Sequence, residues 1–161
     1  MKPFLIVVAS FFALILQSTV FNVLSVAGGK PDFLLLFVVF YAIFRGPLPG
    51  GVLGLALGLM EDLMVGRFIG LNAICKGLIG YAVGSAEKRL YKDNFFVPIA
   101  ALVVASFVNS IFYGIVSNLI GSSITVQTMV LNAIPNGIYN MFFAPVIYAI
   151  FYRIHHHSRQ D

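Results

Sequence analysis

The chain has 161 residues, 60% of them hydrophobic and 10% charged, with a mean hydropathy of +0.96. That balance excludes a soluble globule and describes one domain of integral membrane protein. The net charge of +4 does not point to nucleic acid, because the cations stand singly at the ends of apolar runs rather than in a patch, and so act as topology signals.

The first apolar run, residues 4–21, has 18 residues and makes about 27 Å of helix. It is too long for the apolar core of a signal peptide and is read as a retained first span. A turn-rich stretch containing Gly28-Gly29 follows, and Pro31-Asp32 suits a helix start, where proline loses no needed donor and a carboxylate meets the positive dipole end. The second run, 33–44, gives only about 18 Å of helix and cannot cross alone. Extended to 31–45 it crosses if Arg45 snorkels; a shallow re-entrant hairpin is the rival.

The turn Gly46-Pro47-Leu48-Pro49 leads into a third span, 50–64, joined through Gly66-Arg67 to a fourth, 68–86. Gly50, Gly54 and Gly58 fall four apart on one helix face, so a second backbone can approach closely, from this chain or from a partner. Glu61 or Asp62 and Lys76 lie within about two turns of the connection, so a carboxylate and an ammonium can meet; the rival reading sets the two acids in the headgroups and lets Lys76 snorkel. With Asn72 they form an intramembrane polar cluster.

Residues 87–94, EKRLYKDN, are the most charged loop and are read as cytoplasmic; topology alone explains their cations, and attraction of anionic lipid headgroups or of a cytoplasmic partner is the sharper alternative. The fifth span, 95–120, carries Ser106, Asn109, Ser110, Tyr113 and Ser117 at helical spacing, with Pro98 in its first turn. The sixth, 128–152, carries Asn132, Asn136 and Asn140 four apart, with Pro135 and Pro145 as expected kinks. The two stripes suit interhelical hydrogen bonds, worth ~0.6 kcal/mol each. The sharper alternative is a candidate pocket of Asn109, Tyr113, Asn132, Asn136 and Asn140.

With six alternating spans, Lys2, Arg45, Lys88, Arg89, Lys92, Arg153 and Arg159 share one side, while Lys30 and Arg67 occupy the other. The positive-inside rule then places both termini in the cytoplasm. Cys75 is the only cysteine, so neither an intrachain disulfide nor a structural zinc site is expected. His155, His156 and His157 stand in the polar tail, and no catalytic or cofactor-binding constellation emerges. An acid/base pair of Asp62 and Lys76 ranks last among the readings.

The succession Arg45-Gly46-Pro47, Gly50 through Gly58, an acid at 61 or 62, Gly66, Gly70-Leu71-Asn72 and Gly80-Tyr81 resembles the rod shape-determining MreD family along the whole chain. The resemblance implies an all-α fold of six membrane helices, similar to the substrate-binding subunits of energy-coupling factor transporters. It also implies a non-catalytic scaffold in the bacterial inner membrane, serving lateral peptidoglycan synthesis. MreC would be the partner, with an indirect link to MreB and to the elongation peptidoglycan synthase; self-association is compatible with it. The runner-up, from the fold similarity, is a membrane subunit that binds a vitamin or metabolite for transport, with the asparagine stripe as its pocket.

Overall fold

The computed structural model describes residues 3–23, 30–64, 68–86, 96–119, 121 and 126–157. Among them are six helices and no strand: α1 (Pro3–Val23), α2 (Phe33–Arg45), α3 (Pro47–Met64), α4 (Leu71–Ser85), α5 (Phe96–Leu119) and α6 (Val126–His157). Two are long and apolar enough to cross a membrane, over Phe96–Leu119 and Ala133–Arg153. The charged loop at 87–94 and the Gly66-Arg67 turn lie outside the described residues.

The short second run is the centre of the bundle. Leu34, Leu36, Val38, Val39, Phe40, Ala42 and Ile43 are all 0% exposed, so α2 is buried over most of its surface, with one partly exposed stripe at Phe33, Phe37 and Tyr41. A helix that is apolar all round is a core helix. Its 13 residues therefore fill a space set by its neighbours α1, α3, α4, α5 and α6 rather than by a bilayer's thickness. An aromatic seam fastens it to α6: Phe40 meets Tyr148 edge-on at 5.7 Å, and Phe33 meets Phe143 at 5.0 Å. On its other flank Leu34 and Val38 join Leu14 of α1 and Leu57 of α3.

Gly46 ends α2 with φ 95°, its N–H bonded to Ala42 O, and Pro47 starts α3 at once. Proline fits there because its missing donor would have had no partner. The expected turn through Pro49 is thus reduced to Gly46, and α3 is one turn longer than the apolar run suggested. Likewise α6 runs unbroken through Pro135 and Pro145 and continues to His157.

The α3–α4 hairpin is built on glycine against backbone. A Cβ on Gly54 would fall on the carbonyl of Lys76, one on Gly58 on that of Asn72, and one on Gly50 would reach Gly80 O at 2.8 Å. The facing helix is relieved in the same way, for a Cβ on Gly84 would meet Gly46 C and Pro47 Cα at 2.5 Å. The ladder at 50, 54 and 58 is therefore used inside the chain, and the register sets Gly58 beside Asn72 and brings the end of α3 over the start of α4. The outer faces carry large apolar side chains instead, among them Phe12, Val52, Leu63, Val104 and Phe142.

Because the obstacle at Gly54 is main chain and cannot rotate away, Gly54→Ala should cost about 1–3 kcal/mol or more. Ala56→Leu, on the exposed side of the same helix, should be nearly neutral. Thermal unfolding of the two variants in detergent checks this, and equal melting temperatures would remove close packing from the account.

Candidate functional site

Lys76 sits in α4 with its carbonyl under Gly54. Side chains on a helix lean toward its N-terminus, so the Lys76 ammonium is carried toward the end of α3. There it meets Glu61 Oε2 at 2.7 Å and, from α2, Asp32 Oδ2 at 2.8 Å. The lysine is only 1% exposed and its partners are half-buried. A lone lysine or aspartate at the centre of a membrane helix is disfavoured by ~2.5–3.5 kcal/mol, and pairing removes much of that penalty.

Asp32 serves two elements. Its Oδ1 accepts the Leu35 N–H at 2.9 Å, capping α2, while Oδ2 takes Lys76. The rest of the α2 start is supplied by other helices, because donors among packed helices lack water and need protein acceptors. Phe33 N–H donates to Gln17 Oε1 at 3.1 Å, Asp32 N–H to Asn140 Oδ1 at 2.8 Å and Lys30 N–H to Asn136 Oδ1 at 2.8 Å. Pro31, between them, has no donor to satisfy.

These backbone donors orient the amides. With Oε1 facing Phe33, the Gln17 Nε2 donates to Glu61 Oε1 at 3.2 Å. With Oδ1 facing Asp32, the Asn140 Nδ2 donates to Ser106 Oγ at 2.9 Å, and that hydroxyl donates to Leu102 O. One network thereby reaches all six helices: Gln17 on α1, Asp32 before α2, Glu61 on α3, Lys76 on α4, Ser106 on α5 and Asn140 on α6.

Asp62, next to Glu61 in sequence, does different work. Its carboxylate accepts from Gly70 N at 2.9 Å, Asn72 N and Ala73 N at 3.2 Å each, and Asn72 Nδ2 at 2.8 Å. It caps α4 from outside, at a start where Gly70 is left-handed and has no side chain to cap with. The charge also faces the positive end of the α4 dipole. The polar cluster read from sequence thus separates into Glu61 with Lys76 and Asp62 with Asn72.

Of the candidate pocket, Asn136 and Asn140 are engaged by the backbone in front of α2. Asn109 has a buried Oδ1 without a hydrogen-bond partner among the described residues, and Tyr113 is half-buried on the same helix. The side chain of Asn132 and those of His155, His156 and His157 lie outside the described residues. Sequence reasoning did not find Gln17 or Asp32 as members of the centre. Among the described residues no group of three His, Cys, Asp or Glu side chains is placed to hold a metal ion. What the arrangement can do is neutralise a buried ammonium and lock six helices at one level.

The adjacent acids should separate in a mutant cycle. Lys76→Met alone leaves two carboxylates facing each other and is expected to destabilise by about 3–5 kcal/mol. The loss should shrink markedly in an Asp32→Asn/Glu61→Gln background, whereas Asp62→Asn, losing a cap worth about 1–2 kcal/mol, should add independently of Lys76. Unfolding in detergent measures both; strong coupling of Lys76 to Asp62 rather than Glu61 would refute the assignment.

A family model described as rod shape-determining protein MreD matches residues 1–156. The chain belongs to that family, whose members are membrane proteins of the rod-shape system. No match emerges among curated proteins or among solved structures.

Proposed function

We propose that this member of the MreD family is a non-catalytic scaffold of the cell-elongation machinery in the bacterial inner membrane. It holds MreC, and through MreC connects the MreB filament with the elongation peptidoglycan synthase. The observation that carries this reading is where the polar side chains go. Gln17, Asp32, Glu61, Asp62, Lys76, Asn136 and Asn140 bond to one another and to helix starts, while the outer helix faces among the described residues carry mostly large apolar side chains. A protein so built acts by presenting helix faces to partners and lipid.

On this reading the six helices form a single membrane domain with both termini in the cytoplasm. The distribution of cations, with only Lys30 and Arg67 on the opposite side, supports that orientation. The fold, on this reading, is like that of the energy-coupling factor substrate-binding subunits, with which six helices are compatible in number. A transport role would need a ligand cavity at Asn132, Asn136 and Asn140. Two of those three carboxamides instead hold the chain in front of α2, so that role gains no support.

Gentle solubilisation of the tagged chain from native membranes, with mass spectrometry of what co-purifies, tests the proposal. MreC and wall-synthesis proteins are expected in amounts comparable to the bait. A transporter ATPase with its coupling subunit, and no MreC, would overturn it.

A further inference from the structure

The ion pairs differ sharply in how much chain they enclose. Glu61 and Lys76 are separated only by the short connection between α3 and α4, and Asp62 caps Ala73 across 11 positions. The links from the rest of the bundle to this hairpin are remote: Asp32 to Lys76 and Gln17 to Glu61 each span 44 positions, whereas Gln17 to Phe33, across 16, ties only α1 to the start of α2. Short loops close with little loss of entropy, so the α3–α4 contacts can form while the rest of the chain is still apart.

Neither helix is suited to lipid by itself. The described helices long and apolar enough to cross alone lie in α5 and α6. Helix α4 has 15 residues, about 22 Å against a hydrocarbon core of ~30 Å, and it carries Asn72 and Lys76. Helix α3 ends in two carboxylates. An isolated charge at helix centre lowers insertion on the order of a hundredfold. Paired, the two helices cancel one charge of each sign, place the second carboxylate on the N–H groups of Gly70, Asn72 and Ala73 at the α4 start and interlock through Gly54, Gly58 and Gly77.

We propose that α3 and α4 enter the membrane together, as a hairpin whose Glu61–Lys76 pair and Asp62 cap form before either helix faces lipid. Asp32, Gln17 and Asn140 then close around a pair whose charges already cancel. The proposal rests on the reading of α3 and α4 as membrane-crossing, and its test separates the two.

Single cysteines are introduced into the full chain as Val65→Cys or Tyr91→Cys in a Cys75→Ala background, and labelled in cells with a membrane-impermeant maleimide. In the parent, position 65 should label from outside and position 91 only after permeabilisation. Labelling of both from one side would overturn the crossing itself. In Glu61→Gln/Asp62→Asn, outside labelling at 65, normalised to the amount of chain, should fall about tenfold. Adding Lys76→Leu should bring it back to within about twofold of the parent, because the charge left unpaired within the hairpin is gone; Asp32, which then loses Lys76, meets the hairpin only after it has entered. A parent that crosses while the double variant labels normally would leave the membrane reading intact and sink paired insertion. Failure of Lys76→Leu to restore labelling would do the same, since the defect would then not be the charge.

Discussion

An ammonium held between two carboxylates inside a bundle of apolar helices sets the terms for everything around it. Buried as it is, the Lys76 ammonium is met by both Glu61 and Asp32, and each contact makes its own demand on the fold. For Glu61 to reach it, α3 and α4 must lie backbone to backbone, which only glycine at 50, 54 and 58 allows. For Asp32 to reach it, α2 must begin at the same depth, away from water. That start exposes donors which Gln17, Asn136 and Asn140 then accept. Gln17, Asp32, Glu61, Asn136 and Asn140 are in this sense consequences of one buried charge, whereas Asp62 and Asn72 serve the start of α4.

The helices were legible because apolar runs broken by glycine, proline and charge mark their ends in any solvent. The burial of α2 was less so: a short wholly apolar run has no polar face, so its periodicity cannot say whether lipid or protein surrounds it. Its length was the signal, being too short to cross yet too apolar to be a loop. Glu61 and Asp62 could not be told apart, since both stand within reach of the connection. Only the register fixed by the glycines turns one toward Lys76 and the other over α4. Asp32 escaped notice because a local role, capping α2, already explained it; the ion pair is an additional role that spacing cannot show.

The asparagines of α6 teach a related point. Their four-residue spacing identified a face, and Asn140 does bond across to Ser106 on α5. The face also meets a stretch of backbone, residues 30–32, whose needs leave no trace in side-chain pattern. Hydrogen-bonding partners on the main chain are invisible to any search for matching side chains, yet in a membrane bundle they are the groups that most require partners. Gln17, at the end of the first apolar run, was hidden for the same reason.

The centre is also one-sided. It gathers the end of α1, the start of α2, the end of α3 and the start of α4, whereas the opposite end is held by the aromatic seam of Phe40, Phe44, Tyr148 and Phe151 and by Gly84 against Gly46-Pro47. Ionic and hydrogen-bonded contacts fix direction and depth at one end, and ring packing with close backbone contact fixes the other. A bundle held at both ends presents its outer faces in a fixed order around the axis. With the network's polar groups already committed to one another, what remains for recognition is the shape of apolar helix faces and the loops between them.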